Sequence, residues 1–342
     1  MAHFLITGHT GFKGAWLTLL LKARGHEVSG LALDPLPRSV YNLANLKTDL
    51  NYDLRGDVRS LKETEGAFRK VQPDFVLHLA AQALVREGFK EPYQTYETNV
   101  LGTLNVLEAS ARSNTVRAQL LVTSDKVYAP MSKPRPYVES DPLGGDDPYS
   151  ASKAMADILA QEWLTSGRTK PGAVVRAGNV IGAGDRSPDR LFPDIIRARE
   201  TGADVKIRYP GASRPWQHVL DCLGGYLGLI EKIDGGLVPQ GEAWNFGPNH
   251  GEAVLVSDVV LLAKEYLGKL APNFVVEESE TKEATYLSLD SSKANSILDW
   301  ANRITLEEAV RDSLSEAVAH KSWDARGHIV SRIRSFEADQ FR

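Results

Sequence analysis

His3-Phe4-Leu5-Ile6-Thr7-Gly8-His9-Thr10-Gly11-Phe12-Lys13-Gly14-Ala15-Trp16-Leu17 decides the fold. The apolar run from His3 to Thr7 reads as a buried strand. Ala15 to Arg24 reads as a helix, which Gly25 ends because glycine tolerates the left-handed stop. Between them lie Gly8, Gly11 and Gly14. These suit, in turn, a tight bend, close approach of the backbone to a pyrophosphate, and close packing of helix on strand. The helix N-terminus would present free N–H groups and the positive end of its dipole to phosphate. The spacing is GxxGxxG rather than GxGxxG, so its weight comes from the strand before it and the helix after it.

Working outward, strands are expected at Glu27 to Leu33, Tyr52 to Arg55, Phe75 to Leu79, Leu120 to Thr123 and Ala173 to Arg176. Helical stretches lie at Leu61 to Val71, Gln94 to Arg112 and Tyr149 to Thr165. This alternation predicts an α/β protein with a Rossmann-type, doubly wound parallel sheet. After Arg176 the chain turns to Pro-, Gly- and Arg-rich loops, with a late helical region from Thr305 to Ala319. The expected division is a cofactor domain at 1–177, with a segment near 214–248 returning to its sheet through a strand near Trp244. A smaller, interleaved C-terminal α/β substrate domain is expected at 178–213 and 249–330, leaving a tail at 331–342 that is either a helix or disordered. No internal repeat is present.

Composition bounds the function. The chain has 342 residues, 40 Lys plus Arg against 44 Asp plus Glu, a net charge of −4, 42% hydrophobic and 25% charged residues. Those are the averages of a globular protein, and the mild negative charge argues against nucleic acid or anionic membrane as partner. No stretch reaches the roughly 18 apolar residues of a membrane span. Met1-Ala2-His3 lacks the cationic start of a signal peptide, and the single Cys222 can form neither an intrachain disulfide nor a cysteine-based zinc site. A cytoplasmic protein without metal is expected, with Cys222 as a small buried hydrophobe.

Two groups of residues carry chemistry. Asp34, 20 residues after Gly14, stands where a carboxylate accepts bonds from an adenosine ribose and selects NAD. Arg38, four residues on, leaves NADP open. Asp57 is placed at the adenine end, and Ala80, Ala81 and Gln82 along the cofactor groove. Tyr149 and Lys153 are spaced i, i+4 on one helical face, so the lysine is expected to lower the phenol pKa. Ser124, at the end of the fifth strand, can relay a proton to Tyr149. Together these resemble the alcohol-oxidising centre of the extended short-chain dehydrogenase/reductase family. Asp125 and Lys126 follow at the carboxyl end of a parallel strand. An epimerase that only rotates a ketone needs no such pair, whereas a dehydratase must take a proton from carbon 5 and protonate the leaving hydroxyl on carbon 6.

Over nearly its whole length the sequence resembles the CDP-glucose 4,6-dehydratases. The matching stretches are GHTGFKGAWL, HLAAQALVR, TSDKVY, GGDDPYSASK, VRAGNVIGAGD with DRLFPDIIR, RPWQHVL and EATYLSLDSSKA. Most dehydratases of the superfamily have Asp-Glu where this chain has Asp125-Lys126, and the lysine is typical of the CDP-glucose group. One departure is Asp146, where an aromatic residue or histidine is commoner. The resemblance implies that Tyr149, with Lys153 and Ser124, takes the 4-hydroxyl proton while bound NAD oxidises carbon 4. Lys126 then removes the carbon-5 proton, for which it must be neutral near pH 7, as Asp125 protonates the departing hydroxyl. It also places Thr10, Phe12, Val58 and Asn99 at the cofactor. A nucleoside-diphosphate hexose needs cations, for which Arg190 and Arg214 are the candidates, with Asn179 beside them and Tyr209 and Trp216 bracketing the base. The choice of CDP-glucose rests on the resemblance alone. The helices at Gln94 to Arg112 and Tyr149 to Thr165 are those relatives pair in homodimers or homotetramers. The rivals are a 4-epimerase of the same fold, distinguished by its product, and an NAD-sensing binding protein, which would have no need of Tyr149 or Lys153.

Overall fold

The computed structural model describes residues 1–277 and 284–338. The stretch 278–283, which includes the first residue of the EATYLSLDSSKA match, and the last four residues of the tail lie outside the described residues. The main sheet is parallel and has seven strands: β1 (His3–Thr7), β2 (Glu27–Ala32), β3 (Asp53–Arg55), β4 (Phe75–His78), β5 (Ala118–Val122), β6 (Gly172–Ala177) and β11 (Ala243–Phe246). They are ordered β11-β6-β5-β4-β1-β2-β3. The expected doubly wound sheet is therefore present. Its central strands are mostly apolar because helices cover both faces, and Leu5, Ile6, Val76, Leu77, Leu120 and Val174 are all fully buried. The order reverses between β1 and β4, where a crevice must open at the strands' carboxyl ends.

Outside the main sheet the described residues form six short strands, set among helices: β7 (Val180–Ile181), β8 (Val205–Ile207), β9 (Ser213–Arg214), β10 (Gln217–His218), β12 (Val254–Leu255) and β13 (Phe274–Val276). They pair as β7 with β10, β9 with β12 and β8 with β13. A second apolar core, around Phe192, Ile195, Trp216, Val259 and Val310, lies under them. The strand expected near Trp244 is β11, which pairs in parallel with β6.

Several elements depart from the sequence expectation. The first helix begins at Phe12, before Ala15, so Gly14 lies inside its first turn. The long helix expected at Gln94 to Arg112 is three pieces: Pro92–Tyr96, a wide π turn at Glu97–Leu101, and Gly102–Ala111. The wide turn carries Asn99, whose buried amide bonds Gln82 and Ser152. The late helix breaks at Leu314 into Leu306–Ser313 and Ser315–Ala319, and Thr305 caps its start with Glu308 as a capping box. The tail is helical as far as Ala338 and packs on the helix Phe12–Ala23.

Behind the glycine turn, Thr7 Oγ1 lies 2.7 Å from His78 Nδ1, and His78 Nε2 lies 3.1 Å from Thr103 Oγ1. Burial, reinforced by the Lys153 charge, holds the His78 pKa down to about 3. The ring is neutral in the fold, whereas the unfolded chain takes up a proton below about 6.5. The unfolded state therefore binds more protons between about pH 3 and 6.5, and stability rises with pH through that window and levels off above it. This group should make the protein about 2 kcal/mol less stable at pH 5 than at pH 7. Thermal midpoints should fall accordingly, and His78→Gln, which can still bond both threonines, should flatten the dependence. Equal acid sensitivity in the two proteins would contradict this.

Candidate active site

A single cleft of about 570 Å³ runs from the glycine turn across the ends of β1, β4 and β5 to the second core. Gly8 has φ +79, and a Cβ there would lie 2.8 Å from Ala80 N. A Cβ on Gly14 would lie 2.3 Å from Gly8 O and 2.7 Å from His9 Cα. Gly11 is exposed, and its Cβ would meet only Gly8 O, at 3.4 Å. Two glycines therefore serve the protein's own packing, and the third leaves room for whatever approaches the turn. The helix that follows has no side-chain cap and no acid in its first turn, so its N–H groups face the cleft unneutralised. This cradle fits a dinucleotide pyrophosphate.

Gly8, Thr10, Gly11, Phe12, Gly14, Asp57, Val58, Ala80 and Ala81 all line the cleft. Asp34, Gln82 and Asn99 do not. The Asp34 carboxylate is 91% exposed and lies 3.3 Å from Arg55 Nε, placing it on the outer rim. Gln82 and Asn99 are turned inward. Asn99 Oδ1 accepts from Gln82 N at 2.9 Å and its amide donates to Gln82 O at 3.0 Å, while Gln82 Nε2 donates to Thr95. These two brace the loop after β4. Arg38, the feature that left NADP open, is engaged by Glu200 and Glu316 at 2.8 and 3.4 Å.

Ser124, Asp125, Lys126, Tyr149 and Lys153 meet in the middle of the cleft. Ser124 caps a short turn, accepting from Lys126 N at 3.2 Å and donating to Asp125 Oδ1 at 3.0 Å. Asp125 is buried, and its other oxygen, Oδ2, meets no donor among the described residues. Burial pushes the Asp125 carboxyl up, against the pull of the Lys126 charge and the Ser124 hydroxyl. Lys126 is half-buried, so the burial that would favour the neutral amine expected of it is only partial.

The Tyr149–Lys153 pair behaves differently from expectation. Burial raises the Tyr149 pKa, and the groups that oppose burial are the Ser124 hydroxyl and the Arg190 charge; Asp125 adds to the rise. Lys153 Nζ donates to Val122 O at 3.0 Å. Its own pKa is lowered to about 7 by burial and by Lys13. A helical i, i+4 pair shares a face, but here the buried carbonyl at the end of β5 captures the amine.

Two groups of residues escaped the sequence reading. Lys13, one of the two residues between Gly11 and Gly14, lines the cleft, and burial pushes its amine pKa down. Its position inside the glycine motif was the available signal. The other group is a buried network behind the site. Asp157 accepts two bonds from Arg176, at 2.8 and 2.7 Å, and one from Thr123 Oγ1 at 2.8 Å. Arg176 also donates to Tyr128 Oη, which donates to Asn245 Oδ1 at 2.6 Å. The pair ties the helix of Tyr149 to the strand end of Ser124 and to β6 and β11. Asp157 is four residues after Lys153, a spacing that could have marked it.

Asn179, Arg190, Tyr209, Arg214 and Trp216 all line the far end of the cleft. Arg214 is buried and donates to Ser213 O and Ala284 O at 2.9 and 2.7 Å. Trp216 donates to Val254 O and packs edge-on against Phe192. Arg190 stands at the N-cap position of the helix Leu191–Thr201 without a side-chain capping bond, and its guanidinium lies 3.8 Å from Asp185. Cys222 is buried. Among the described residues there is no cluster of three His, Cys, Asp or Glu able to hold a metal ion, and no helix is long and apolar enough to cross a membrane.

The cradle, the cleft and the Ser-Tyr-Lys arrangement define a dinucleotide-dependent enzyme of α/β type. Residues 4–247 match the NAD dependent epimerase/dehydratase family, and the chain belongs to that family. It is 40% identical over 328 residues to a CDP-glucose 4,6-dehydratase of Salmonella typhimurium, covering 93% of this chain and 90% of the relative. A dTDP-glucose 4,6-dehydratase of Haemophilus influenzae is 29% identical, over 92% of this chain and 97% of the relative. Among solved structures, MoeE5 in complex with UDP-glucose and NAD superposes with a TM-score of 0.79 at 26% identity, covering 92% of this chain and 97% of that one.

Proposed function

We propose that this protein is a nucleotide-sugar 4,6-dehydratase that converts CDP-D-glucose into CDP-4-dehydro-6-deoxy-D-glucose and water. The observation that carries the reading is Asp125: a buried carboxyl with a raised pKa and an Oδ2 that meets no donor among the described residues, beside Lys126 and lining the same cleft as Tyr149. A carboxyl pushed towards its protonated form suits a general acid. The 40% identity to a dehydratase, against 26% to a UDP-glucose 4-epimerase of Pisum sativum, supports the same choice.

NAD would be held by the turn of residues 8–14, by Asp57 and Val58, and by Ala80 and Ala81; when bound it supplies reversible oxidation at carbon 4 and reduction at carbon 6. Tyr149 takes the 4-hydroxyl proton, with Ser124 bonded to the phenol and Arg190 favouring phenolate. The resulting ketone acidifies the neighbouring carbon-5 hydrogen. Lys126 removes that proton, Asp125 gives its own to the departing 6-hydroxyl, and Lys126 returns its proton to carbon 5 as carbon 6 is reduced, so water is lost with no net redox change. Asn179, Arg190 and Arg214 would hold the diphosphate, with Tyr209 and Trp216 at the base.

The cofactor half is read as 1–177 with the returning segment near 214–248, and the substrate half as the rest up to 330. A cytoplasmic setting fits a reduced, buried Cys222. Leu101, Met155 and Ile158 are each about half exposed on the two helices that relatives pair, which favours a homodimer or homotetramer.

The test is incubation of the purified protein with NAD and a panel of CDP-, dTDP-, GDP- and UDP-hexoses. A 4-keto-6-deoxy product, recognised by its strong absorbance in alkali, is expected with CDP-glucose. An epimerised hexose, or no turnover of any member of the panel, overturns the reading.

A further inference from the structure

At the mouth of the cleft one carboxylate oxygen is shared by two arginines from opposite walls. Asp189 Oδ1 lies 3.1 Å from Arg86 Nη1 and 3.4 Å from Arg208 Nη1. Arg86 belongs to the helix Val85–Lys90, beside the loop after β4, and Arg208 follows β8 in the second core. Asp189 immediately precedes Arg190, and all three residues line the same cavity. The Asp189 backbone has φ 58, an uncommon conformation for a residue with a side chain. Its carbonyl also faces Arg208 Nη2, at 3.5 Å. The loop is thus bent so that a carboxylate stands between two guanidinium groups.

Electrostatics makes that arrangement replaceable. The side chains of Asp189 and Arg86 are 34% and 43% exposed, and ion pairs in such surroundings are worth only a few-fold in an equilibrium. The only other carboxylate whose charge acts on both arginines among the described residues, Glu277, is itself paired to Lys206 Nζ at 2.6 Å, so the three cations Arg86, Arg208 and Lys206 outnumber the two carboxylates. A diphosphate carries more charge and more acceptor oxygens, and the planar fork of arginine matches phosphate oxygens in pairs.

We propose that Asp189 is a placeholder anion, holding Arg86 and Arg208 until the diphosphate of the incoming sugar nucleotide displaces it. Its release frees the loop that carries Arg190. This rests on the nucleotide-sugar reading above and adds to it two diphosphate ligands and a competitor built into the chain.

Titration calorimetry of the full chain with CDP and with cytidine tests it. Asp189→Asn removes the charge, keeps the shape and accepts the positive φ. It should bind CDP roughly three- to fivefold more tightly than the wild type, with cytidine unchanged. Arg86→Gln and Arg208→Gln should each weaken CDP about tenfold without changing cytidine. Combining Asp189→Asn with Arg208→Gln should abolish the gain. If Asp189→Asn binds CDP no better than wild type, or if cytidine shifts equally, the placeholder role is overturned while the nucleotide-sugar reading stands. If CDP binds neither protein, both are overturned.

Discussion

Asp125→Asn is expected to stop the reaction after oxidation: mixed with CDP-glucose and NAD, the variant should build up the near-ultraviolet absorbance of NADH while releasing no 4-keto-6-deoxy sugar. Asparagine has nearly the same volume and can still accept from the Ser124 hydroxyl, so the site should keep its shape. What it lacks is a transferable proton. Asp125 Oδ2 is buried without a donor among the described residues, and burial pushes its carboxyl towards the protonated form, so the group is suited to give a proton. Losing a positioned acid or base costs about 10²–10⁴ in rate, and the oxidation step does not call on this one. Lys126→Ala should stall at the same point because the carbon-5 proton then has no acceptor. Lys126→Glu should retain part of the dehydration, since a carboxylate can serve as that base. Dehydration by Asp125→Asn at the wild-type rate would remove the central argument for a dehydratase.

The second large effect is expected at the glycine turn, where two substitutions should separate folding from binding. Gly14→Val drives a Cβ to 2.3 Å from Gly8 O and 2.7 Å from His9 Cα. Both neighbours are backbone, so no side chain can move aside and the turn itself must open. NAD binding should fall by at least about 100-fold and the thermal midpoint by several degrees, as for overpacking in a rigid site. Gly11→Ala meets only Gly8 O, at 3.4 Å, so the protein should keep its thermal midpoint. Its methyl group would nonetheless stand in the open face of the turn and weaken NAD about tenfold or more, because the backbone amides could no longer come within bonding distance of phosphate. Fluorescence titration with NADH and thermal unfolding followed by circular dichroism measure the two effects. Equal loss of stability in both variants would mean that Gly11, too, serves only the protein's own packing.

Periodicity and punctuation made most of the main sheet readable in advance. The strand at Phe75, the helix from Leu61 to Val71 and the strand near Trp244 lie where the alternation of apolar runs places them, because parallel strands covered on both faces are predominantly apolar. The Ser124–Lys126 stretch and Tyr149 were legible as a site because strand ends and i, i+4 helix positions map directly from chain spacing to space. The departures have a common origin. Asn99 faces inward only because a π turn shifts the helix face by a residue, and that turn is stabilised by the amide's bonds to Gln82 and Ser152. Lys153 was expected to act on Tyr149, yet its amine goes to Val122 O, a group on another element. Asp34 stands at the expected point of the chain, but its carboxylate lies out on the rim beside Arg55.

Local rules, which act within a turn of helix or along one strand, were enough for the fold class, the glycine cradle and the choice of Ser124, Asp125, Lys126, Tyr149 and Lys153 as residues that meet in one cleft. Protonation and partnership belong to the folded molecule alone. Whether Asp125 holds a proton, where Lys153 sends its amine, and which arginines share Asp189 depend on desolvation and on charges contributed by segments far apart in the chain, and those come together only once β5, the Tyr149 helix and the second core are packed.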